Sequence, residues 1–388
     1  MKRVLVIFTL LALAMAGCGR KYKLKRDDLG SEARWAAPHQ APRNIGTIDQ
    51  TSFNGRLHLL WKKRSSGKPA APLCLANNSL VFPDTKKKIR FYDLSNGHER
   101  GRIKIKGSPT AGFVVDDSLG FYALGPRANF VGAVDLLRYK SLWKRRIKDV
   151  SPGPIITHNR LIVSSGDGRV EAYSLEEGEL LWSFDLGGRL ESSASFADGR
   201  LWQANDRGVL VALSIEDGSE LTRVELNGPS VSPPVIADAV YAVVMTGKVF
   251  AIDPVSGTIR WQTDLKAPVW TTPVVAHGRL YLGQSDGGVV ALNAADGQRV
   301  WRRDFETVVK APAVALGRHL VVGTMSGSLM TLDAESGATV DSLKLDGAIE
   351  FSPVTDGQRL YVATQSGRIF CFGENHEQAD RADQRVSP

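Results

Sequence analysis

The sequence predicts an all-β chain folded as an eight-bladed β-propeller of four-stranded antiparallel blades, its ring closed by an N-terminal strand. Three observations carry that expectation: a segment of about forty residues that recurs along the chain, short apolar runs bounded by turns inside each copy, and a last copy whose missing strand stands ahead of the first. The most legible copy, residues 280–301, reads L-Y-L-G-Q-S-D-G-G-V-V-A-L-N-A-A-D-G-Q-R-V-W. It returns as L-I-V-S-S-G-D-G-R-V-E-A-Y-S-L-E-E-G-E-L-L-W at 161–182 and as V-Y-A-V-V-M-T-G-K-V-F-A-I-D-P-V-S-G-T-I-R-W at 240–261. Gly178, Gly218, Gly257, Gly297 and Gly337 mark one equivalent position, in steps of 40, 39, 40 and 40 residues. A period of that size built from strands and tight turns means a radial array of small sheets.

Each element of the unit has a local cause. Val289-Val290-Ala291-Leu292 and Val249-Phe250-Ala251-Ile252 are short apolar, β-branched runs bounded by turn residues, which read as buried strands. The turn before them carries Asp286-Gly287, Asp167-Gly168, Gly247, Gly327 or Gly367, where glycine supplies the positive φ of a tight hairpin. The second turn is D-x-x-x-G, as in Asp253 to Gly257, Asp333 to Gly337 and Asp93 to Gly97. A carboxylate there accepts from amides two residues on, a turn signature and not a catalytic acid.

Four residues after the second glycine stands Trp182, Trp261 or Trp301; Trp143 and Trp61 occupy the same strand in less regular copies, while Thr222, Asp341 and Gly101 replace it elsewhere. A flat ring repeated at one site around a circle suits docking of one blade on the next, with its N–H reaching a backbone acceptor. A row of ligand-stacking aromatics is the poorer reading, because the positions are spread around the ring.

Copies begin near Pro72, Pro109, Pro154, Ala194, Pro234, Pro273, Pro312 and Pro353, which makes eight. The last stops after Gly367-Arg368-Ile369-Phe370-Cys371-Phe372 without its Trp-bearing strand, and Leu57-His58-Leu59-Leu60-Trp61-Lys62 precedes the first copy. That strand completes the last blade and removes open sheet edges. The propeller therefore spans 56–375.

At the ends, Lys2-Arg3 precedes an apolar run from Val4 to Ala16, too short for a standard membrane-spanning helix, which stops at Ala16-Gly17-Cys18. Residues 1–17 read as a signal peptide of the bacterial lipoprotein kind, with Cys18 as the lipidated (palmitate-bearing) residue, although Met15 stands where such signals usually have Leu. An ordinary cleaved signal with a free thiol is the plainer alternative. Gly19 follows where inner-membrane retention often has Asp; likeness to sorted lipoproteins then implies the outer membrane in a two-membrane cell. Residues 18–55 are polar, interrupted by Pro38, Pro42 and Gly46, and read as a tether; 376–388 read as a disordered tail. Cys371 stands where other copies have Ala251, Ala291 and Ala172, and Cys74, counted from the entry proline, where they have Val275 or Ile156; both read as small core fillers. Ring closure makes their blades neighbours, so a disulfide is the alternative in an exported protein.

The net charge of +8 hides an asymmetry: residues 56–149 carry 20 Lys and Arg against 7 Asp and Glu, whereas 150–388 carry 20 against 30. Lys86, Lys87 and Lys88 fill a hairpin turn of the first copy, and Lys144-Arg145-Arg146 follows Trp143. Such a sector suits acidic headgroups, a polyanion or an acidic protein, or is a solvated flank. The basic run Arg20 to Arg26 beside Cys18 suits a membrane surface. Nucleic acid is a poor partner for an exported lipoprotein.

The pattern A-L-N-A-A-D-G-Q-R-V-W with A-I-D-P-V-S-G-T-I-R-W resembles the repeat of pyrroloquinoline-quinone-type (PQQ-like) β-propellers. Together with the lipoprotein signal and eight compact copies, it resembles the BamB family over residues 56–373. That resemblance implies a scaffold of the outer-membrane β-barrel assembly machinery that binds envelope proteins and has no cofactor. The alternative is a quinoprotein dehydrogenase or a small-ligand-binding propeller. Enzymes with this repeat hold their cofactor with adjacent cysteines, a calcium ion and a catalytic Asp; this sequence has no Cys-Cys pair. Neither a catalytic constellation nor a metal-ligand spacing is legible. Candidate partner-binding residues are Trp270, Glu191 and Glu350, at equivalent positions before the innermost strands, with Lys86, Lys87, Lys88, Arg145 and Arg146 in the basic sector. The plainer reading packs Trp270 inside its own blade and leaves the acids solvated.

Overall fold

The computed structural model describes residues 24–25, 46–49, 51–107, 112–125, 129–150 and 152–374. Cys18, the leader, most of the 18–55 stretch, the start near Pro109 and the 376–388 tail lie outside the described residues.

Eight sheets follow one another around the ring: blades one to seven at 74–104, 113–146, 155–185, 195–225, 235–264, 274–304 and 314–344, then blade eight at 354–373. Every blade has four antiparallel strands running from a short innermost strand to an outer one. Blade eight obtains its outer strand from Leu59–Arg64, which pairs with Arg368–Gly373 in the register Trp61↔Cys371. The second and third strands are buried almost throughout, while outer strands alternate. Inner strands are covered by neighbouring blades on both faces; the outer one has one covered face, hence its period of two.

The core lies in the seams between blades. Phe121 and Trp143 of blade two share a buried cluster with Leu161, Val163 and Tyr173 of blade three. Val235 and Tyr241 of blade five do the same with Leu282 and Leu292 of blade six. Each docking Trp faces a small residue across its own sheet: Ala133, Ala172, Ala251, Ala291 or Cys371. Its indole N–H then crosses the seam to a backbone carbonyl of the next blade. Trp61 donates to Leu94 at 3.0 Å, Trp143 to Leu175 at 2.8 Å, and Trp182 to Ile215 at 2.9 Å. Trp261 and Trp301 donate to Ala294 and Ala334 at 2.9 and 3.1 Å. The ring lies against the turn glycine of that next blade. A Cβ added at Gly97, Gly178, Gly218, Gly297 or Gly337 would stand 2.4–2.8 Å from indole carbons. The repeated glycine is thus a seat for its neighbour's indole as well as a turn residue.

The stretch before residue 56 departs from the tether reading. Thr47–Ile48 pairs in parallel with the innermost strand of blade seven, making that sheet five-stranded. Ile48, Phe53 and Leu57 are buried in the cluster joining blades seven, eight and one. Thr51 Oγ1 donates to the Gly357 carbonyl, and the Leu57 amide donates to Asp341 Oδ2 at 2.8 Å. The polar composition conceals a sparse apolar set that fills the underside of blades seven and eight.

Both cysteines are free and buried. Burial pushes each thiol up to about 12. Strand register aligns Cys74 with Val274 and Ile155, one residue from the match counted from the prolines, because the loops before the innermost strands differ in length.

Candidate functional site

On one face of the ring, the loops that lead into the innermost strands meet the hairpin turns between second and third strands. Glu191, Trp270 and Glu350 each stand four residues ahead of an innermost strand, at Ser195, Val274 and Val354. They share a position but have different surroundings.

Trp270 is 51% exposed, while its neighbours Val269, Thr271 and Thr272 are buried. Thr271 Oγ1 donates to the Gly283 carbonyl at 3.1 Å and accepts from the Gly283 amide at 3.0 Å, so the loop is fixed and the indole projects from it. The Val269 amide donates to the Met245 carbonyl at 3.2 Å, which brings the half-exposed Met245 of blade five beside the base of Trp270. Sequence reading missed Met245; its signal was an apolar residue in a turn position where blade six has Ser285. An exposed indole with a thioether on a rigid rim is the chemistry of an anchor for a protein partner.

Both acids are partly exposed and ion-paired. Arg189 Nε donates to Glu191 at 2.9 Å, and the same guanidinium reaches Asp149 at 2.8 Å. Glu350 pairs with Lys310 and accepts from the Gln365 amide nitrogen. Lys310 occupies in blade seven the position of Trp270 in blade six, each after a buried valine. Around the projecting Trp270 and Met245, the acids at the equivalent positions are therefore ion-paired.

The lysine turn of blade one belongs to the same face. Asp84 Oδ1 accepts from the Lys86 and Lys88 amides at 2.8 and 2.9 Å, and Asp84 Oδ2 accepts from Arg90 Nε at 2.5 Å. Both side chains are fully buried. Arg90 also reaches Glu99 at 3.0 Å and Ser66 Oγ at 2.6 Å. A Cβ at Gly67 would stand 2.2 Å from Asp84, so the pair fits only against glycine. Sequence reading overlooked this network, whose signal was an arginine in a strand where blades five and six have Phe250 and Val290. It fixes the turn and leaves Lys86 and Lys87 exposed. Arg145 and Arg146 separate in role: Arg145 donates to the Gly178 and Glu177 carbonyls of blade three at 2.6 and 2.8 Å, while Arg146 is exposed.

Among the described residues no group of three or more His, Cys, Asp or Glu side chains could hold a metal ion. On the opposite face an open cavity of about 670 Å³ lies between blades eight and one, lined by Thr51, Asn77, Asp93, Arg100, Gln358 and Arg359.

The fold is that of a PQQ-like β-propeller. A family profile described as outer membrane protein assembly factor BamB matches residues 51–184, 166–248 and 237–384. The chain belongs to that family. The BamB of Moranella endobia is 24% identical over 150 residues, covering 34% of this chain and 39% of that protein. That of Salmonella typhimurium is 23% identical over 243 residues, covering 58% and 62%. The matched segments thus span about two fifths to three fifths of these relatives. The crystal structure of BamB from Moraxella catarrhalis superposes with a TM-score of 0.71 at 16% identity, covering 82% of this chain and 100% of that one. A quinohemoprotein alcohol dehydrogenase from Pseudomonas putida reaches 0.75 at 10% identity, covering 90% and 80%. Likeness at these identities establishes a shared fold.

Proposed function

We propose that this protein is a non-catalytic scaffold of outer-membrane protein assembly, lipid-anchored at Cys18 on the periplasmic side of the outer membrane. Membership of a family described as an assembly factor supports the role. The observation that carries the binding site is Trp270, half exposed on a loop whose flanking residues are buried and hydrogen-bonded. It would enter an apolar recess of an envelope partner, the β-barrel assembly protein, with Met245 beside it. Glu191 and Glu350, committed to Arg189 and Lys310, shape the mouth and do not reach for the partner.

The test is affinity purification of the full-length protein after cross-linking in membranes. The native chain recovers the β-barrel assembly protein and Trp270→Ala loses it, while Glu191→Gln keeps it. Recovery of a different abundant partner, indifferent to residue 270, contradicts the reading.

A further inference from the structure

Ring closure sorts the rim charges in a way linear order does not show. The last residue of every outer strand occupies one register position, opposite the first residue of the third strand, as in Lys104↔Lys88 and Asp304↔Gly288. Around the ring that position reads Lys344, Arg64, Lys104 and Arg146 in blades seven, eight, one and two. It then reads Asp185, Glu225, Asp264 and Asp304 in blades three to six. All eight are exposed. Four contiguous blades end basic and four end acidic, and the basic arc is continuous only because the N-terminal strand carries Arg64 into blade eight. Exposed Lys62, Arg102 and Lys144 add charge next to the docking Trp position of the same blades, and Lys86 and Lys87 stand at the same shoulder.

The halves differ in pairing at two positions: Asp264 and Asp304 are met by Lys266 and Arg302 at 2.7 and 2.5 Å, while Asp185 and Glu225 make no ion pair among the described residues. Among the described residues, Arg64, Lys104, Arg146 and Lys344 make no ion pair. Exposed, unneutralised like charge along one arc favours contact with a surface of opposite sign.

A second, independent observation orients that arc. The seam between blades one and two lacks the indole-on-glycine contact: Gly101 stands in the Trp position and Tyr139 in the glycine position. There Leu24 is buried among Ile103, Ile105, Phe113 and Leu136, and its amide donates to Tyr139 Oη at 3.1 Å. Leu24 lies six positions after Cys18, a reach of about 20 Å when extended. An anchor at Cys18, as proposed above, therefore holds the blade-one and blade-two part of the basic arc close to the bilayer.

We infer that the rim of blades seven, eight, one and two is a membrane-facing surface that lies against anionic phospholipid headgroups, so that the ring stands on its edge with blades three to six away from the bilayer. Attraction of this kind acts within a Debye length, about 8 Å at 0.15 M salt, so only the tethered edge gains from it.

The test uses the full-length lipidated protein with one added cysteine, at Thr85→Cys in the lysine turn or at Thr246→Cys in the corresponding turn of blade five. Cys74 and Cys371 stay unlabelled because they are buried. Vesicles of phosphatidylcholine, alone or with phosphatidylglycerol, carry a headgroup quencher. Quenching at position 85 should rise with phosphatidylglycerol and fall with salt, while position 246 stays unquenched. Reversing Arg64, Lys104, Arg146 and Lys344 to Glu should remove that rise. Equal quenching at both positions, or indifference of position 85 to phosphatidylglycerol, as expected if the arc meets an acidic protein, overturns the inference. Vesicle capture separates the two readings: capture only by phosphatidylglycerol vesicles sinks the anchor and leaves the rim. Capture by both vesicle types, with no gain at position 85, sinks the rim and leaves the anchor.

Discussion

Gly218→Ala tests whether the repeated glycine is a seat for the neighbouring indole. Gly218 has φ +72°, and its added Cβ would stand 2.5 Å from Trp182 Cε3 and 2.7 Å from Cδ2. Gly199, in the same blade, has φ +77° with nothing within 4 Å of the corresponding Cβ. Both alanines meet the same left-handed backbone, which costs about 1–2 kcal/mol. Only Gly218→Ala also meets a buried ring with no room to move, and overpacking of that kind costs about 1–3 kcal/mol more. Gly199→Ala should therefore destabilise by about 1–2 kcal/mol and Gly218→Ala by about 2–5 kcal/mol. Urea unfolding followed by tryptophan fluorescence and by circular dichroism gives both values, provided the two probes coincide. A double-mutant cycle with Trp182→Ala isolates the contact, since without the indole Gly218→Ala should fall to the Gly199→Ala value. Equal costs at 199 and 218, or strict additivity with Trp182→Ala, would refute the seat.

Trp182→Phe keeps a ring in the seam but leaves the buried Ile215 carbonyl without its donor, a loss of about 1–3 kcal/mol by the same unfolding assay. Asp84→Asn removes the buried one of the two carboxylates on Arg90 and leaves Glu99, so the loss should stay below the ~3–5 kcal/mol of a fully broken buried pair; an unchanged unfolding midpoint would contradict the network. Buried Cys74 and Cys371 titrate near 12 in the folded chain, above the ordinary thiol value of 9.0. The folded state then binds more protons between those values, so this stabilisation is full below about pH 9 and is lost as pH rises toward 12. Cys74→Val with Cys371→Ala, the residues other blades use, should flatten part of that alkaline slope. The remainder belongs to Tyr361, Tyr241 and Tyr173, which burial raises as well. A slope unchanged by the double substitution would count against buried thiols.

The repeat made the fold legible because its signals are local: Asp and Gly set turns, apolar pairs set strands, and a stray Trp strand ahead of the first copy announced closure. What lay hidden depends on neighbours distant in sequence. Gly178 reads as a turn residue until ring packing puts Trp143 against it. Ile48 and Phe53 are too sparse for any periodicity, so the segment around them, which packs on blades seven and eight, reads as a tether. Trp270 was legible as the odd residue among equivalent positions, but the pairing of Glu191 with Arg189 was not. Arg189 belongs to the same loop, and only geometry aims its guanidinium at both Glu191 and Asp149. The division of the rim was half visible as a charge split between chain segments; its arc form waited for Arg64 to take its place beside Lys104.

The mouth around Trp270 is proposed as the place where this scaffold meets its assembly partner. A photo-crosslinking residue placed at 270 in the full-length protein, in intact cells, tests it most directly, with position 223 on the outer edge of blade four as the comparison. A cross-link to the β-barrel assembly protein from 270 and none from 223 is the expected result. Cross-linking from 223 with none from 270 would contradict it.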